Sequence, residues 1–188
     1  MQLIKVLNYR KKTMNLIFNK NQLDKVSNAA NLAEELVSNE YKLTTSQWLR
    51  HKYEIKTLNE LSSDEILDIP FAQLIRYTAR KESSNLISSD YDYYKICLQD
   101  HNILSALKMH LYLDFFPFLL YIITHEIIHI VRFSNFLQSF LANDNERLIE
   151  EKRVHKKTFD ILSSVNISGM YQVLQFKGWK IETEDRYL

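Results

Sequence analysis

His125, Glu126 and His129 stand in the middle of an almost wholly apolar stretch, FFPFLLYIITHEIIHIVRF, running from Phe115 to Phe133. A helix that is hydrophobic all round belongs in a protein interior. Burying three titratable side chains there is costly unless something compensates them, and a metal ion is the compensation that His-Glu-x-x-His can attract. Positions i and i+4 of a helix lie one above the other on one face. His125 and His129 can therefore hold one ion, with Glu126 to the side and within reach of a water beside it.

A second polar pair comes from the segment after the turn at Asn143–Asn145, which reads as a helix to about Val165. With Glu151 at zero and about 100° per residue, Leu148, Val154, Phe159, Ile161, Leu162 and Val165 fall within about 80° of it. Glu151 and His155 sit inside that stripe, while Glu146 and Glu150 fall on its flanks or beyond. The short turn predicts antiparallel neighbours, so His125/His129 and Glu151/His155 can enclose one ion. Glu151 is the third ligand on this reading, and His155 is either a fourth ligand or a supporting group.

Three more polar residues face the same way. Tyr121 precedes His125 by four residues and either donates a hydrogen bond to a reacting oxygen or only packs. Arg132 follows His125 by seven, and either stabilises an oxyanion or substrate carboxylate or offsets the local carboxylates. Asp100 shares the apolar face of a helix expected from Asp90 to Leu111, with Ile96, Ile103, Leu104, Leu107 and Leu111. It either orients a ligand imidazole or pairs with a cation such as Arg132.

The elements that must position these groups read as helices. Only Gly169 and Gly178, Pro70 and Pro117 break the 188 residues. Tight hairpins want glycine, and the first 168 residues have none. Helices are expected over Leu23–Val37, from a Thr44 or Thr45 cap through Trp48, from a Ser62/Glu65 capping box towards Arg80 with a break at Pro70, and over Ile167–Trp179. Asp114 caps the central helix. The expectation is an all-α single domain, a helical bundle around the His-Glu-x-x-His helix. A loose arm occupies residues 1–20, the metal-binding domain 21–180 and a solvated tail 181–188.

The composition is 46% hydrophobic with a formal net charge of +1, which predicts no strong attraction to nucleic acid or an acidic membrane. The single Cys97 excludes an internal disulfide and suits a reducing compartment. Lys5, Arg10, Lys11 and Lys12 leave no room for a secretory leader, and polar residues interrupt the apolar run too early for a membrane span. A cytoplasmic location follows, with homo-oligomerisation left open.

The THEIIHI stretch resembles the signature of the zincin metallopeptidases, and the downstream Glu resembles that of their glutamate-zincin branch. By position, the resemblance implies zinc on His125, His129 and Glu151, with Glu126 as the general base and a peptide as the default substrate. That branch often carries Glu-x-x-x-Asp, and Glu151-x-x-x-His155 has the same spacing with His in place of Asp. In these enzymes a β-sheet usually precedes the motif helix and binds extended peptide. Two rival readings stand beside this one. Glu126-Ile127-Ile128-His129 also fits one Glu-x-x-His motif of the ferritin-like proteins, which bind two iron or manganese ions, with Glu82 and Asp100 as further carboxylates. A non-catalytic protein whose metal only staples two helices is the other.

Overall fold

The computed structural model describes residues 16–49, 52–80, 90–135 and 143–179. Most of the expected arm, the loop 81–89 with Glu82, and the tail 181–188 lie outside the described residues. Among them are six α-helices and one three-stranded sheet.

Helix α1 spans Lys20–Tyr41. Asn19 and Gln22 close a reciprocal capping box, the Gln22 N–H donating to Asn19 Oδ1 at 3.0 Å and the Asn19 N–H to Gln22 Oε1 at 2.8 Å, which satisfies two amides the helix start leaves over. Its buried stripe is Val26, Ala29, Ala33 and Val37, and it packs on the central helix. The two alanines keep that contact face small. Thr44 caps the short α2, Thr45–Trp48, as its sequence suggests.

The all-α expectation is wrong: the fold is α+β, with β1 (Lys52–Lys56), β2 (Ala72–Arg80) and β3 (Asp90–Leu98) in the order β1-β3-β2. β3 runs parallel to β1 and antiparallel to β2, placing Ile96 between Ile55 and Leu74. The expected helix from Asp90 is a strand followed, after Gln99, by helix α3, Asp100–Met109. Ile96 and Ile103 are seven residues apart, a helical spacing, yet they belong to different elements. The decisive pattern is local: Tyr94, Ile96 and Leu98 share one face of β3 and are buried, and Cys97 on the other face is buried too, while Tyr and Ile suit a pleated surface.

The shortage of glycine misled because this sheet needs no tight turn. Its parallel pair cannot be a hairpin, and its antiparallel pair is separated by the nine residues 81–89. The capping-box pattern at Ser62/Glu65 also misled. Glu65 does accept the Ser62 N–H at 3.0 Å, but no helix follows. Its other oxygen takes Lys95 Nζ on β3 at 2.7 Å, and this ammonium, with the Ser62 N–H, holds the carboxyl down to about 2.

The central helix α4, Phe115–Ser134, is buried without a break from Pro117 to Val131. Asp114 occupies its N-cap position, and Pro117 sits in the first turn, where a missing N–H costs nothing. By length and composition α4 could cross a membrane, but 83% of its apolar window is buried inside this fold. α1, β2, β3 and the two following helices, α5 (Asp144–Ser163) and α6 (Met170–Leu174), surround it.

Candidate metal centre

α5 begins at Asn143, whose side chain accepts the Glu146 N–H at 3.0 Å while Glu146 accepts the Asn143 N–H at 3.1 Å. Its buried residues include Glu150, Glu151, Val154, Thr158, Ile161 and Leu162. Glu150 is therefore inside, contrary to its expected place on the flank. The buried arc is wider than one stripe because α5 meets both α4 and α1.

Three side chains converge between α4 and α5, and they bring four donor atoms together, two imidazole nitrogens and both oxygens of one carboxylate. His125 Nε2 lies 3.1 Å from His129 Nε2 and 3.3 Å from Glu151 Oε2, and His129 Nε2 lies 3.2 Å from Glu151 Oε1. An ion with tetrahedral bonds of about 2.0–2.1 Å to nitrogen or oxygen holds its ligand atoms about 3.3 Å apart. Each pairing within this triangle of side chains has about that spacing, with the two histidines facing different oxygens of Glu151. His125, His129 and Glu151 are 4%, 5% and 7% exposed, so the donors are shielded and fixed by packing.

His155 joins from one turn further along α5. It, His125 and Glu151 each offer a ligand atom within 4.8 Å of the others, and this group can hold a metal ion. The His155 ring centre is 4.4 Å from that of His125. Its Nδ1 is 2.9 Å from the Tyr121 hydroxyl. Tyr121 in turn stacks on Trp179, with ring centres 4.1 Å apart and planes 14° apart. Trp179 is anchored by its indole N–H on the Val173 carbonyl at 2.8 Å. This brace comes from beyond α6, far along the chain and outside any periodic pattern, so the sequence offers no signal for it.

Glu126, 2% exposed, lies within electrostatic reach of Cys97 on β3. Burial pushes that thiol up to about 12, with Glu65 and Glu126 among the charges that add to the effect. The sheet thus stands behind the carboxylate of the motif.

Arg132 does not join the donor triangle. Its guanidinium forks onto Glu150, with Nη2 donating to Oε2 at 2.8 Å and Nε donating to Oε1, and it also bonds the Tyr41 hydroxyl. It ties α4, α5 and α1 together and offsets one buried carboxylate. Glu150 raises the guanidinium's proton affinity further.

Asp100 is also placed elsewhere. Its two oxygens accept the backbone N–H of Phe18 at 2.9 Å and of Leu58 at 3.1 Å, pinning the approach to α1 and the end of β1 to the start of α3. Burial pushes its carboxyl up to about 6, against the pull of those N–H groups. The folded state therefore holds this proton more tightly than the unfolded chain, whose carboxyl titrates near 3.8. Raising the pH through that window removes stability, on the order of 3 kcal/mol, and nothing further is lost above it. Urea unfolding of wild type and Asp100→Asn between pH 4 and 7 should show their difference shifting against wild type up to about pH 6. A difference independent of pH would contradict this.

Comparison with protein-family models, with curated proteins and with solved structures finds no match to this chain, so the reading of this centre rests on its own residues.

Proposed function

We propose that this protein is a zinc-dependent hydrolase of zincin type, acting on peptide bonds. The observation that carries the reading is the meeting of His125, His129 and Glu151, with the two Nε2 atoms 3.1 Å apart and each 3.2–3.3 Å from one oxygen of the Glu151 carboxylate. Two imidazoles and one carboxylate at tetrahedral spacing suit zinc and match a catalytic set, which keeps one position open. A bound zinc would acidify a water and polarise a substrate carbonyl.

The remaining work falls to this chain's own groups. Glu126 adjoins His125 on α4, and its carboxylate would take a proton from the attacking water and return it to the leaving amine. Its burial favours proton return over leakage to solvent. Packing fixes His125 and His129 on one helix and Glu151 on the next. The β-sheet ahead of α4 supports the zincin resemblance, because an exposed strand edge can take an extended peptide through main-chain hydrogen bonds.

The di-metal alternative is weakened on two counts. Asp100 spends both oxygens on backbone N–H groups, and the sheet replaces the helices that would bring the other carboxylates in. The test is hydrolysis of dye-quenched, unfolded casein by protein stripped with chelator and then reloaded with zinc. Cleavage should vanish on stripping and return on reloading. Casein left intact by the reloaded protein, with zinc bound, would overturn the hydrolase reading.

A further inference from the structure

We propose that the cleft between α3 and the turn after α6 binds a free aromatic amino acid, ring inward, with its ammonium towards Asp68 and its carboxylate towards Lys177. The inference stands on residues outside the metal centre and does not rest on the hydrolase reading.

The cleft has a volume of about 560 Å³, within the range of roughly 300–1,000 Å³ that small-molecule sites occupy. Its walls come from the segment ahead of β2, from α3 with the residues that follow it, and from the turn after α6. Asn102 fastens the first two together, its amide nitrogen donating to the Leu67 and Pro70 carbonyls at 3.0 and 2.8 Å. His101 Nε2 donates to the same Leu67 carbonyl at 3.0 Å.

The lining is largely aromatic. His110 meets Phe176 and Tyr112 edge to face, with ring centres 5.1 and 5.7 Å apart, and Phe71 leans on Phe176 at 6.3 Å. Trp179 backs this wall, 5.2 Å from Phe176 and 5.6 Å from Phe71. Gly178 lets Phe176 lie where it does, since a Cβ there would meet the ring at 2.3 Å. One more aromatic ring continues such an edge-to-face pattern. Ile69 and Met109 also line the cleft and are 53% and 72% exposed, and an open apolar rim round a concavity is the mark of a ligand site.

The polar groups are of both signs. Asp68 and Lys177 line the cleft and are exposed, and neither has an ion-pair partner among the described residues. Asn102 gives its amide protons to carbonyls that only accept, so its Oδ1 is left as an acceptor, and Ser105 adds a hydroxyl to the lining. One carboxylate and one ammonium on the same cavity fit a guest that carries both charges. A fatty acid would be opposed by Asp68 and a simple cation by Lys177. A bilayer pressed on this rim would have to desolvate an unpaired carboxylate.

The experiment titrates the full ¹⁵N-labelled chain with L-phenylalanine, metal-free and again with zinc added, and follows the backbone amides and the Trp179 indole N–H. The expected result is saturable shifts at Ile69, Ser105, Met109, Lys177 and the indole, with a dissociation constant on the order of 1 mM or lower that zinc leaves unchanged. L-Alanine, which lacks the ring, should bind at least about tenfold more weakly. Phenylalaninamide lacks the carboxylate and 3-phenylpropionate lacks the ammonium, and each should bind about two- to fivefold more weakly, as the loss of an exposed ion pair predicts. Asp68→Asn should weaken phenylalaninamide but not 3-phenylpropionate, and Lys177→Gln should do the reverse. Both positions are exposed, so neither variant threatens the fold. Shifts that never saturate, shifts centred on His125 and His129 instead, or equal affinity for all three aromatic compounds would overturn the inference. So would cleft shifts that follow protein concentration with no ligand added, which would place a second copy there. Each of these outcomes leaves the zinc site as it stands.

Discussion

Glu126→Gln should keep its zinc and lose its hydrolysis, with turnover falling about a hundred- to ten-thousand-fold, the usual worth of a positioned general base. The substitution keeps the shape of the side chain and removes the charge and basicity of the carboxylate. Glu126 is not among the side chains that meet at 3.1–3.3 Å, which are His125, His129 and Glu151. Metal content should therefore stay at the wild-type level, and the loss should appear in kcat rather than in KM. A glutamine at a 2%-exposed position can disturb packing, so the melting temperature is measured alongside. Full turnover in a folded, zinc-loaded Glu126→Gln would take Glu126 out of the reaction.

His125→Ala/His129→Ala should abolish the stabilisation that zinc gives. A ligand bound only by the folded state at about a thousand times its dissociation constant adds roughly 4 kcal/mol. For a chain of this size that is a rise in melting temperature of roughly 8–16 °C. The double variant has its own lower baseline, because two buried rings are gone from the middle of α4. The informative quantity is the rise on adding zinc, which should be large in wild type and absent in the variant. An equal rise in both would place the zinc elsewhere.

The candidate centre was far more legible than the fold around it. His125 and His129 owe their proximity to helical spacing alone, and a helix as apolar as α4 leaves no doubt about its burial. Glu151 could be picked from its neighbours by angle, since Val154, Ile161 and Leu162 share its side of α5 and are buried with it. Glu150 could not be placed so well, because α1 closes over a second side of α5 and hands its carboxylate to Arg132. The same tertiary fact answers for Arg132 itself.

The sheet was misread for a different reason. Helical spacing between Ile96 and Ile103 is a coincidence of two elements meeting at Gln99, and strand alternation over Tyr94, Ile96 and Leu98 is too short to outweigh it by count. Asp100 was drawn into the site by that error. On its true element it opens α3 and serves backbone N–H groups. The contact of Trp179 with Tyr121 joins residues with no spacing relation, and only the folded chain displays it.

The central claim is that His125, His129 and Glu151 hold one zinc. The most direct test is elemental analysis of the purified protein after stripping and reloading in a mixture of zinc, iron and manganese. The account predicts about one zinc per chain and neither of the other metals in comparable amount. Two irons per chain, or a protein that stays empty of all three, would contradict it.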